Sequence, residues 1–104
     1  MAYANYIVHA MSELTGGGTL RERLMKAYLI NLVNMDAEEL PLTIRKEFRQ
    51  FRREITRINR GEDALSVEAT IASMNESEVK AMIDKIISMY DLAMRQDKSP
   101  INYA

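Results

Sequence analysis

No cysteine occurs anywhere in the chain. That excludes disulfides, thiolate catalysis and cysteine-held zinc or iron–sulfur centres, and it suits a reducing compartment. Histidine is nearly absent too. His9 is the single one, and it lies between Val8 and Ala10 with no sign of a nucleophile–base–acid set, so acyl-transfer chemistry of the serine–histidine type has no base. A di-iron helical bundle needs Glu-x-x-His pairs on facing helices, and none exists. Prolines number two and glycines four, so few breakers interrupt the helical period. No apolar run approaches the ~20 residues that span a bilayer. The first residues lack the basic and apolar segments of a secretory signal. The expected location is therefore cytoplasmic, and the Asn75-Glu76-Ser77 sequon is expected to stay unmodified.

What is present is mostly pattern. The net charge is −1, but it is unevenly placed. Residues 43–60 carry seven basic and two acidic side chains, a local charge of +5, against −6 for the remainder. Within this segment Ile44, Phe48, Phe51, Ile55 and Ile58 recur at spacings of four, three, four and three. At 100° per residue they cover an arc of roughly 80°, and Arg45, Lys46, Arg49, Arg52, Arg53, Arg57 and Arg60 cover roughly 140° on the far side. The pattern predicts a third helix over 44–60, with a core-facing seam and a basic outer stripe, ended by Gly61 in a left-handed conformation.

The other helices follow from caps and breakers. The first is expected over 3–14, with Tyr3, Ile7, Ala10 and Leu14 on one face, and ends at Gly16-Gly17-Gly18. Thr19-Leu20-Arg21-Glu22 is a capping box that opens a second helix running to about Asn34. Its face of Leu20, Leu24, Ala27, Tyr28 and Leu32 is widened by Met25, Leu29 and Val33, which suggests contact on two sides. Asp36-Ala37-Glu38-Glu39 reads as one short turn before Pro41, which sits near the start of the third helix. A short fourth helix is expected over 66–74 with Ser66 as its cap, and a fifth from the Asn75 cap to about Arg95, with Val79, Met82, Ile83, Ile86, Tyr90 and Ala93 inward. Residues 97–104 read as a flexible tail. The sum is a single all-α domain over 1–104, a compact antiparallel helical bundle of four main helices plus one short helix.

Candidate chemistry is sparse. The glycine run before Thr19 lacks the lysine and the strand of a phosphate-binding loop. Asp36, Glu38 and Glu39 lack the glycine and the length of a calcium loop. No carboxylate pair stands out for acid–base work. Neither metal nor cofactor is expected. Most methionines fall on inward faces as gap fillers, whereas Ile87 and Met89 lie off the main seam of the fifth helix and would form an apolar patch if both were exposed.

The expected function is therefore a small non-enzymatic helical interaction or regulatory module, homo-oligomeric, that binds protein. Six of the seven cations in the stripe are arginines, the residue favoured in two-pronged carboxylate pairing. The alternative is a nucleic-acid-associated regulator using Arg45, Arg49, Arg52, Arg53 and Arg60 as phosphate contacts. Against it stand the inward-facing Phe48 and Phe51, which leave no stacking platform.

Overall fold

Short polar caps and apolar stripes set out five helices in the computed structural model, which describes residues 2–98. They are α1 (Ala2–Leu14), α2 (Leu20–Lys26), α3 (Leu42–Ile55), α4 (Asp63–Ser73) and α5 (Glu76–Lys98). Among the described residues there is no strand, and the fold is all-α. Each start has its local cause. The Thr19 hydroxyl accepts from the Glu22 amide while the Glu22 carboxylate accepts from the Thr19 amide. Asn75 and Glu78 exchange the same pair of bonds at the head of α5. Asp36 caps the single turn Ala37–Glu39.

Four boundaries differ from the expectations by three residues or more. The second helix does not continue as an α-helix to Asn34; after Lys26 it widens into a π turn over Ala27–Asn31 and then tightens into a 3-10 turn over Leu32–Asn34. The third helix stops at Ile55, five residues early, so Arg57, Ile58 and Arg60 lie in the connection to α4. Buried hydroxyls of α4 are the reason: Ser66 accepts from the Arg60 amide at 2.9 Å, and Thr70 from the Ile58 amide at 3.0 Å. Those amides bond across to another helix instead of back along their own. Gly61, at φ +93°, turns the chain within this connection rather than at the end of the helix. Ser66 is accordingly no cap; α4 begins three residues before it. Finally, α5 continues through Lys98, so Asp97 and Lys98 are helical, and the rest of the expected tail, 99–104, lies outside the described residues.

The core joins all five helices. Ile7, Ala10, Leu24, Tyr28, Leu32, Ile44, Phe48, Phe51, Ile55, Val67, Val79, Ile86 and Ala93 are all fully buried. The α1 helix packs on α5 and on the π turn, and α3 packs on α5 and α4. Met89 is also fully buried, so the expected Ile87–Met89 surface patch does not form; Ile87 alone is exposed. The reason is that α5 meets α1 on one side and α3 on another, which widens its buried arc beyond a single seam.

The glycine run has one conformational requirement. Gly18 has φ +97°, and a Cβ there would stand 2.6 Å from the Glu22 carboxylate. Gly18→Ala is expected to break the capping box and lower stability by about 1–2 kcal/mol. Thermal unfolding followed by circular dichroism measures the loss; a Glu22→Ala background should remove the share that comes from the capping box and leave the share that comes from the positive φ.

Candidate nucleic-acid or protein interface on α3

The seam that buries α3 also fixes its opposite side. Leu42, Lys46, Arg49 and Arg53 project within an arc of about 60°, diametrically across from Ile44, Phe48, Phe51 and Ile55. All four are exposed, Leu42 by 75%. Together with Arg45 they line an open depression of about 380 Å³. The strip is roughly 16 Å long at 1.5 Å per residue.

The five arginines singled out from the sequence do not share one role. Arg45 and Arg52 fall on one flank, toward the segment that precedes α3. Arg45 donates to the carbonyls of Glu38 and Leu40, both at 3.0 Å. The Arg52 Nε donates to the Tyr28 hydroxyl at 3.2 Å, and its terminal nitrogen reaches the carbonyls of Met35 at 3.4 Å and Val33 at 3.5 Å. Its guanidinium also lies 4.6 Å above the centre of the Phe48 ring, a cation–π contact. These two side chains close the stretch of short 3-10 turns between the π turn and α3, by donating to the carbonyls of Val33, Met35, Glu38 and Leu40. Arg49 is exposed and pairs with Glu38. Arg53 is exposed, with no ion pair among the described residues. Arg60 is exposed but lies off the helix, beside the start of α4.

Sequence reasoning missed the structural work of Arg45 and Arg52 because their acceptors are backbone carbonyls. The signal that was available is their seven-residue separation, which sets them on one flank next to the apolar seam. The other flank carries the acids. Glu54 meets Lys85 of α5 at 3.0 Å. Arg57, beyond the helix end, donates to the Ser73 hydroxyl at 3.2 Å and lies 3.8 Å from Glu78.

Burial raises the pKa of Tyr28, and the Arg52 hydrogen bond and charge pull it partly back while Asp63 pushes it up. A raised phenol pKa means that the folded state holds this proton after the unfolded chain has lost it. The associated stability is complete below about pH 10 and falls as pH rises through the folded value. Denaturation at pH 9 and at pH 11 is expected to show this loss, and an ultraviolet titration is expected to show the Tyr28 phenol ionising above the ordinary phenol range.

Elsewhere the candidates thin out. The amide of Thr19, which follows the glycine run, is occupied by the Glu22 carboxylate, so that loop presents one fewer donor to an anion. His9 is exposed. Among the described residues no three acidic or imidazole side chains come together as a metal-holding group, and no helix is long and apolar enough to cross a membrane. A second depression, of about 260 Å³, runs along the outer face of α2 and the π turn between Met25, Leu29 and Ile30; Ile30 is 54% exposed. No protein-family model, curated protein or solved structure matches the chain.

Proposed function

We propose that this chain is a small, non-enzymatic helical interaction module of the cytoplasm that binds protein and self-associates, and that the outward face of α3 is its binding surface. One observation carries the reading: an exposed leucine and three exposed cations share a single narrow strip on a helix whose other side is locked into the core. A leucine that stands 75% exposed at the end of a basic row suits a partner that offers both an apolar anchor and carboxylates. Arginine supplies the planar fork for those carboxylates.

The same geometry weakens the nucleic-acid alternative. Arg45 and Arg52 are engaged with backbone carbonyls, and Arg60 lies off the helix. Of the five arginines expected to track phosphates, Arg49 and Arg53 remain on the outward face. Phe48 and Phe51 are fully buried and offer bases nothing to stack on.

A Lys46→Glu/Arg53→Glu variant separates the readings. Immobilised parent chain is expected to retain protein from nuclease-treated lysate of the source cell, and the variant to lose it. Generic duplex DNA and single-stranded RNA are expected to bind the parent only weakly at low salt. Tight nucleic-acid binding that falls steeply with salt and is lost in the variant, together with capture abolished by nuclease, would replace this reading with the alternative.

A further inference from the structure

The outward strip of α3 has a regular beat. Leu42, Lys46, Arg49 and Arg53 follow one another at spacings of four, three and four, which sets them about 6, 4.5 and 6 Å apart along the helix axis. This alternation is the seam pattern by which one helix meets another at a shallow crossing angle. Here the seam is basic and open to solvent. A second α-helix repeats the same intervals by construction. An extended segment offers same-side residues every ~6.7 Å and would be out of step by roughly 3–4 Å at the fourth position.

A carboxylate already rests on the strip. Glu38, in the turn Ala37–Glu39, reaches across to Arg49 of α3. Its backbone amide is bonded to Asp36 and its carbonyl to Arg45, so the turn is held without that carboxylate. Both side chains of the pair are exposed, and such a pair is weak enough for a better-placed acid to displace.

We propose that the α3 strip takes an acidic amphipathic helix of a partner protein, with an apolar side chain on Leu42 and carboxylates on Lys46, Arg49 and Arg53, and that Glu38 holds Arg49 until this helix displaces it. The inference rests on the reading of the α3 face given above and names its occupant. Charge complementarity carries it. The segment 43–60 has a net charge of +5, the three cations of the strip are exposed, and the acid that meets them within the chain is Glu38. The four–three–four spacing reads the same from either end, so the partner helix can lie parallel or antiparallel, provided its apolar residue falls at the Leu42 end. A contact this narrow belongs to the transient class.

Fluorescence anisotropy on the full chain at low salt tests this, with labelled, end-blocked, alanine-rich peptides of about 18 residues as probes. Two aligned peptides carry glutamates at the four–three–four spacing with a leucine at the amino-terminal or the carboxy-terminal end of the row. A third has the same composition with its glutamates spread round the helix. One aligned peptide is expected to bind at least about tenfold more tightly than the spread one. Glu38→Gln should tighten the aligned peptide by roughly two- to fivefold, because the competitor is gone. Lys46→Glu/Arg53→Glu should lose the aligned peptide and accept instead one with lysines in place of the glutamates nearest to and farthest from the leucine. Should that variant fail to give the parent's circular dichroism spectrum, Leu42→Ser carries the test. Its side chain is 75% exposed, so the fold does not need it, and the aligned peptide should bind at least roughly threefold more weakly.

Equal binding of aligned and spread peptides, or binding of none, overturns the acidic helix; if Lys46→Glu/Arg53→Glu still abolishes capture of protein from lysate, the α3 face keeps its role and its occupant has another shape. Unchanged affinity in Glu38→Gln overturns the competition, and in Leu42→Ser the apolar anchor. Duplex DNA that displaces the aligned peptide at equal concentration and salt gives the strip to nucleic acid. Self-association of the parent that Lys46→Glu/Arg53→Glu abolishes gives it to a second copy. Either result overturns the proposal.

Discussion

Phe51→Ala is expected to lower stability by about 3–5 kcal/mol, roughly a fifth or more of the 5–15 kcal/mol that a folded domain commonly has. The ring is fully buried in the middle of the α3 seam. Its centre stands 6.0 Å from that of Tyr28, tilted by 32°, so truncation removes both transfer free energy and an aromatic contact. The space left is bordered by α3 and by the π turn, and the π turn is held from below by the Tyr28–Arg52 bond. That restraint limits collapse around the cavity, which places the cost toward the upper part of the range. A fall in melting temperature of at least about 12 °C is the measurable consequence. A loss below about 1 kcal/mol would mean that α3 does not use this seam.

Arg52→Ala is expected to cost about 2–3 kcal/mol. Three kinds of contact end together: the bond to the buried Tyr28 hydroxyl, the bonds to the carbonyls of Val33 and Met35, and the position over Phe48. The stranded hydroxyl and carbonyls contribute more than the lost bonds themselves, because a half-buried polar group without a partner keeps its full desolvation cost. Arg52→Lys should recover little, since an ammonium cannot imitate the planar fork that meets a phenol and two carbonyls at once. Tyr28→Phe in the Arg52→Ala background should cost less than Tyr28→Phe alone; the double-mutant cycle isolates the pair. The phenol pKa is expected to climb further once the guanidinium is gone, because both lowering influences come from Arg52.

The second prediction bears on any alanine scan of the basic stripe. Arg49 and Arg53 test a surface, whereas Arg52 and Arg45 test the fold. A triple change at Arg49, Arg52 and Arg53 would lose binding and stability together, and the loss of stability would be mistaken for contact energy. Lys46 and Arg53 are the informative pair, exposed and without ion pairs among the described residues.

How much of this was legible beforehand differs from element to element. The α3 seam was legible, and Ile44, Phe48, Phe51 and Ile55 are all fully buried. The capping box at Thr19 and the cap at Asn75 were legible too, because every partner in them lies within three residues; the return bond from the Asn75 amide to Glu78 was not singled out. The outward strip of Leu42, Lys46, Arg49 and Arg53 follows from the same period, although Leu42 did not stand out among them. The end of α3 was not legible. Ile58 continues the apolar spacing, yet its amide bonds to Thr70, twelve residues away. The π turn was equally silent, since nothing in Ala27–Asn31 distinguishes it from the helix before it.

The amino-acid order by itself settled which faces are oily, where α2 and α5 begin behind their caps and which segment concentrates positive charge. These are properties of neighbours within one or two turns, governed by backbone geometry and side-chain spacing that any fold must respect. Only the tertiary structure decided where helices stop and which cations are left for a partner. Those outcomes depend on acceptors brought from elsewhere in the chain: the hydroxyls of Ser66 and Thr70, the phenol of Tyr28 and the carbonyls of residues 33–40. A buried amide or guanidinium must find an acceptor, and the local sequence does not say which one will be within reach.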